Sequence, residues 1–201
     1  MSNIQNFSTL DFVSHPTKSL FDTSTRSSTS GFGFETPVQG NTNEWLTPPS
    51  LLQKLGTFDL DPCGCPGMPW STASTTYFLP EHDGLIATWS GRVFCNPPYG
   101  PNIRDWAIRM AEHGDGIMLI FARTETEAWQ KNIFPFADAT LLLAGRLRFH
   151  LPTGEQGKSG TAPSALLAYG QTNVDALRHA SIAGALFLNP EMLTGIKASQ
   201  L

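Results

Sequence analysis

At 201 residues the chain suits one domain with a core large enough for a central sheet. No apolar run reaches membrane-spanning length, no basic-then-apolar leader opens the chain, and three cysteines make an odd count. These features argue against a membrane protein, a secreted one and a disulfide scaffold, and a cytoplasmic location is expected. A formal net charge of −4 argues against a strong grip on nucleic acid and predicts modest, salt-sensitive binding through a local cluster.

Residues 1–41 are rich in Ser, Thr, Gly and Phe, carry few charges and hold no helical or strand period. They are expected to form a low-complexity, disordered tail, because too little patterned apolar surface is present to offset ordering entropy. Phe7, Phe12, Phe21, Phe32 and Phe34 would suit a docking arm for a protein partner, and a passive linker fits the same composition. The main domain is expected over 42–172, with a C-terminal helix and tail over 173–201.

Thr47 as N-cap, Pro48 at the first helical position and apolar Leu51, Leu52 and Leu55 predict a short helix from about 48 to 55. Thr57 to Asp61 alternates like a strand and ends in a loop, Pro62-Cys63-Gly64-Cys65-Pro66-Gly67. A brief strand is expected at Tyr77-Phe78-Leu79, and a better one over Gly91 to Cys95. Ile103 to His113 places Ile103, Trp106, Ala107 and Met110 on one helical face. Gly116 to Phe121 is a continuous apolar run, the pattern of a central strand covered on both faces. Thr124 to Asn132 reads as helix, Ala139 to Ala144 as strand, Gly154 to Gly160 as a long loop and Ala165 to Tyr169 as the last good strand. A helix over Val174 to Ala183 then frays. Strands alternating with helices indicate an α/β fold with a largely parallel sheet.

Within this frame Asn96-Pro97-Pro98-Tyr99 stands out. It is a polar turn between a buried strand and a helix, the place where open α/β sheets bind ligands. Its chemistry suits methylation of a planar amino nitrogen. The exocyclic amine of adenine is a poor nucleophile because its lone pair is delocalised into the ring. The Asn96 side-chain oxygen and the Pro97 carbonyl offer two acceptors that would pyramidalise the nitrogen and aim its lone pair. Pro98 stiffens the turn by fixing φ. Tyr99 offers a flat face for a base, worth roughly 1–3 kcal/mol. The C-x-C spacing of Cys63 and Cys65 with distant Cys95 fits no common zinc set, even with His82 added, so no metal is expected.

Six blocks in one order carry a resemblance: Glu44-Trp45-Leu46-Thr47-Pro48-Pro49, Phe58-Asp59-Leu60-Asp61-Pro62-Cys63, Asp83-Gly84-Leu85 with Trp89-Ser90-Gly91, Val93 to Gly100, Ala122-Arg123-Thr124 with Trp129, and Gly145-Arg146-Leu147-Arg148-Phe149. Over roughly Glu44 to Gly170 the chain resembles a phage-type DNA N-6-adenine-methyltransferase of the Dam group. The resemblance implies an abbreviated S-adenosylmethionine-dependent methyltransferase fold, Rossmann-like, with a mostly parallel sheet. It implies methyl transfer from S-adenosylmethionine to the exocyclic amine of a flipped adenine in DNA, at a specific site. A phage or prophage origin, a host-cell cytoplasmic setting and a role in restriction-modification or regulation are implied with it.

The same resemblance assigns roles position by position. Trp45, Thr47 and Pro48 correspond to a segment closing over the methionine end of the cofactor. Asp61, Pro62 and Cys63 correspond to the acidic first-strand block whose carboxylate receives the methionine ammonium. Asp83 corresponds to the acceptor for the cofactor's adenine amine. Asn96 to Tyr99 form the catalytic block, with Asn96 also beside the cofactor, and Phe149 corresponds to an aromatic sandwiching the base against Tyr99. Arg104, Arg123, Arg146 and Arg148 are candidates for phosphate contacts.

Residue chemistry alone also admits Asp61 as a loop cap, Asp83 as a solvated turn residue, Phe149 as core and the arginines as surface charge. Asp59 or Glu81 would suit the ribose hydroxyls. The prolines after Asp61 and the short stretch to Asp83 depart from the wider methyltransferase pattern and predict an abbreviated cofactor pocket. The same turn would also present an amide or amine of a protein or RNA, or serve a non-catalytic binding module.

Overall fold

A computed structural model describes residues 45–78 and 81–190, without the side chain of Lys158. The expectations for residues 1–41, and for the tail beyond residue 190, lie outside the described residues.

The centre of the molecule is set by two apolar runs. Gly116–Phe121 (β4) and Ser164–Tyr169 (β8) pair antiparallel over their whole length, and every residue of both except Phe121 is buried. On one flank of β4 lie Val93–Cys95 (β3), Leu60–Asp61 (β1) and Thr75–Thr76 (β2), each parallel to its neighbour. On the flank of β8 lie Ala139–Leu143 (β5) and Gly184–Leu188 (β9), each antiparallel to its neighbour. The seven-stranded order is β2-β1-β3-β4-β8-β5-β9. The fold is α/β, with a parallel half that carries the Asn96 turn.

Side-chain alternation along β4 divides the core into two layers. Ile117 and Leu119 face a layer built with Leu51 and Leu55 of helix α1 (Pro49–Leu55) and Val174 and Leu177 of helix α3 (Gln171–His179). Met118 and Ile120 face the other, with Trp106 and Met110 of helix α2 (Ile103–His113) and Trp129 and Ile133 of a π-helical turn, Trp129–Ile133. The predicted apolar face of α2 therefore packs on the sheet. Gly114, left-handed at φ 76°, stops that helix, its N–H donating to the Met110 carbonyl.

Several local expectations shift. Thr47 does not cap α1, which begins at Pro49. The strand expected over Thr57–Asp61 shrinks to β1, and pairing with β1 falls on Thr75–Thr76 rather than on Tyr77-Phe78. The helix expected over Thr124 to Asn132 starts only at Glu127, after turns, and is π-helical over Trp129–Ile133, where Phe134 N–H donates to the Trp129 carbonyl at 3.0 Å. The loop of 154–160 contains Gln156–Ser159 (β7), which forms an antiparallel ribbon with Arg148–His150 (β6). Beyond α3 the chain reverses through Ser181, at φ 50°, and adds β9 to the sheet edge instead of fraying.

Candidate active site

A cleft of about 280 Å³ opens at the carboxyl ends of β1 and β3. That is near the lower end of small-molecule pockets, roughly 300 Å³. Four segments far apart in sequence line it: Trp45 to Thr47, the loop from Asp61 to Pro66, Asp83-Gly84 and Asn96 to Tyr99. Gly84 is what lets two of them meet. A Cβ there would lie 1.9 Å from the Pro62 carbonyl oxygen, so only glycine fits the approach.

The first segment is a strap held from three sides. Leu46 exchanges two backbone hydrogen bonds with His150, both 2.9 Å, tying the strap to β6. The Trp70 indole N–H donates to the Thr47 carbonyl at 3.1 Å, its ring edge-on to His150 at 5.0 Å. The Asn96 Nδ2 donates to the Trp45 carbonyl at 2.7 Å. A carbonyl only accepts, so this bond orients the amide and turns Asn96 Oδ1 away as the acceptor end. Tyr99 Oη donates to Oδ1 at 3.2 Å, which leaves that oxygen one further lone pair.

The Tyr99 ring lies flat on Phe121, centroids 4.0 Å apart and planes 12° apart. Phe149, only 2 % exposed, meets Tyr99 edge-on at 6.1 Å and 78°. The parallel aromatic neighbour of Tyr99 is thus Phe121, a residue the sequence reading did not single out. Burial holds the Tyr99 phenol far above its ordinary range, with the Cys63 and Cys95 thiols adding to the effect, so it is a neutral donor.

Asp61 is 3 % exposed and borders the cleft. Cys63 N–H donates to its Oδ1 at 3.0 Å, and the Thr72 hydroxyl donates to Oδ2. Burial raises its pKa, while the bonds from Thr72 and Cys63 pull it back down. No Lys or Arg forms an ion pair with it among the described residues. Thr47 is 1 % exposed, and its hydroxyl has no partner among the described residues. Among the described residues, a buried carboxylate without a cation and a buried hydroxyl without a bond therefore border one cavity.

Asp83 is exposed at the rim, its Oδ1 accepting from Leu85 N–H at 2.9 Å. Beside it His82 stacks on Tyr77, centroids 4.9 Å apart, and both line the cleft. Thr72, Tyr77, His82 and Trp106 also line the cleft, and the sequence assigns none of them a role at this site because no local motif contains them. Of the residues that it named, Trp45, Thr47, Asp61, Pro62, Cys63, Asp83 and Asn96 to Tyr99 line the cleft. Pro48, Phe149, Arg123, Arg146 and Arg148 do not. The three arginines are exposed, and Arg146 donates to the Thr161 carbonyl at 3.2 Å.

The model of the DNA N-6-adenine-methyltransferase (Dam) family matches residues 35–178. The chain belongs to that family. No curated protein and no solved structure matches it. The match spans all four cleft segments and both central strands. As a Dam-family chain it is a DNA adenine methyltransferase that uses S-adenosylmethionine. Among the described residues of this family member, no helix is long and apolar enough to cross a membrane.

Proposed function

We propose that the cleft seats S-adenosylmethionine beside an adenine rotated out of the DNA stack, and that Asn96 to Tyr99 present its exocyclic amine for methylation at a specific sequence. One observation carries this reading: the Asn96 amide and the buried Asp61 carboxylate, which has no ion-pair partner among the described residues, border the same cavity.

The residues fit the cofactor. Asp61 complements an ammonium, and the unbonded Thr47 hydroxyl would gain a partner from the amino-acid end. Trp45 shapes that end with Pro48 behind the strap, Pro62 and Cys63 line the same cleft, and the second carboxylate oxygen of Asp83 suits the adenine amine. When bound, S-adenosylmethionine supplies an electrophilic methyl on a sulfonium.

The remaining work falls to this chain. Asn96 Oδ1 and the Pro97 carbonyl accept from the target amine and favour the charge that develops on its nitrogen. Pro98 keeps those acceptors from relaxing, so orientation is set before the reaction. Rotating a base out of the duplex costs a few kcal/mol, which stacking on Tyr99 offsets. Phe149 braces that ring edge-on, and Arg123, Arg146 and Arg148 take phosphates outside the cleft.

The test is to incubate the protein with labelled cofactor and DNA, digest one portion to nucleosides and sequence the other for the bases flanking each methylated adenine. Label in N6-methyldeoxyadenosine within one flanking context is expected. Asn96→Ala should keep cofactor binding and lose roughly two orders of magnitude or more in transfer. Near-normal turnover in that variant removes the assignment.

A further inference from the structure

Cys63 and Cys95 are 32 residues apart, yet their sulfur atoms lie 3.6 Å from each other. The contact follows from the sheet. Cys95 ends β3, and Cys63 lies two residues past the end of β1, the strand parallel to β3 with Leu60 level with Val93, so both cysteines sit at the carboxyl ends of adjacent strands. The pair is also asymmetric. Cys63 is half-buried and lines the cleft, whereas Cys95 is 0 % exposed behind it. One thiol can meet a solute and the other can reach only its neighbour.

We propose that Cys63 and Cys95 form a reversible intramolecular disulfide when the protein meets a peroxide, and that this cross-link disables the cleft. The Cys63 sulfur attacks one peroxide oxygen and the O–O bond breaks. The departing oxygen leaves as water, with the thiol proton, and Cys63 becomes a sulfenic acid. The Cys95 sulfur attacks the Cys63 sulfur and displaces hydroxide, which leaves as a second water with the Cys95 proton. The two thiols give up two electrons and the peroxide takes them. A dithiol reverses the bond by exchange.

The thiolate is the attacking species, and burial beside the Cys95 thiol and Asp61 holds the Cys63 thiol well above its usual range. The reaction is therefore slow at neutral pH and accelerates as pH rises. Its consequence comes from what each sulfur is attached to. Cys63 N–H donates to Asp61, and Cys95 immediately precedes Asn96. Contracting 3.6 Å to a bond of about 2.05 Å pulls both walls of the cleft toward each other. The cross-link stands on the thiol geometry, and its effect on methylation rests on the cleft being the cofactor seat proposed above.

The test treats the full chain with hydrogen peroxide, blocks remaining thiols with N-ethylmaleimide in denaturant, and maps peptides without reductant. A Cys63–Cys95 peptide pair lacking two hydrogens is expected, with Cys65 alkylated. Cys63 recovered alkylated, or joined to Cys65, overturns the proposal. Cys95→Ala should instead hold Cys63 as a sulfenic acid trapped by dimedone, and the wild-type map decides the matter should that variant not fold. Cross-linked protein should lose about 100-fold in methyl transfer, the cost of displacing reacting groups by roughly 1 Å, and dithiothreitol should restore it. Saturating S-adenosylhomocysteine should slow cross-linking severalfold. A disulfide that forms at the same rate with that ligand, and leaves its binding intact, overturns the regulatory half and the cofactor seat while the thiol pair stands.

Discussion

The side chain of Asn96 is bonded to the backbone of Trp45, 51 residues earlier, at 2.7 Å. That contact makes the strap and the Asn-Pro-Pro-Tyr turn a single unit. The wall that would close over a cofactor is the wall that aims the amide. Replacing Asn96 by Asp swaps the donor for a second acceptor facing the Trp45 carbonyl. The Asn96→Asp protein should bind S-adenosylhomocysteine about tenfold more weakly in calorimetry, since a lost bond and an unpaired carbonyl together cost roughly 1–3 kcal/mol. Asn96→Ala leaves the strap without repulsion, so its binding should suffer less although its turnover suffers more.

Asp61 gives a prediction that separates binding from folding. Its folded pKa is raised above the ordinary value of 3.8, so the folded chain holds this proton more tightly than the unfolded one. Its contribution is fully present below the unfolded pKa and is lost as pH rises through the folded pKa. At neutral pH the buried charge therefore opposes folding. Asp61→Asn should melt at an equal or higher temperature than wild type at pH 7, with the difference vanishing toward pH 3. The same variant should lose about tenfold or more in cofactor affinity, the scale of one charge-assisted hydrogen bond. A variant that binds normally would remove Asp61 from the cofactor seat.

Thr47 offers the complementary case. Its hydroxyl is buried and unbonded among the described residues, so the free protein gains nothing from it. Thr47→Val should leave the unfolding midpoint unchanged or raise it slightly. If the cofactor satisfies that hydroxyl, affinity should fall by roughly fivefold to tenfold, near 1 kcal/mol. Thermal melts with and without S-adenosylhomocysteine read both effects in one experiment.

Phe121 lies flat on Tyr99 and sits outside the cleft lining. Removing it should loosen the Tyr99 ring without touching the cofactor. Phe121→Leu is expected to raise the KM for DNA about threefold to tenfold, since an aromatic pair contributes about 0.5–1.5 kcal/mol beyond its buried area. The dissociation constant for S-adenosylhomocysteine should stay within twofold or so of wild type, as Phe121 makes none of the polar contacts at the cleft. An unchanged KM would assign Phe121 to packing alone.

What the sequence determined by itself is everything that local pattern encodes. The continuous apolar run of β4, the one-sided face of α2 and the proline-braced turn between strand and helix are short-range features. Each is written in residues within a dozen positions of one another. Tertiary structure decided the rest. The contacts of Asn96 with Trp45 and of Cys63 with Cys95, and the Thr72 hydroxyl on Asp61, join segments that no period links. The Gly184–Leu188 run was too short to distinguish strand from fraying tail, and pairing with β5 made it a strand. The β6–β7 ribbon likewise exists through pairing, its register interrupted between Arg148 and His150. Strand pairing depends on which partner the rest of the fold presents, so a strand of few residues carries little of that information in its own sequence.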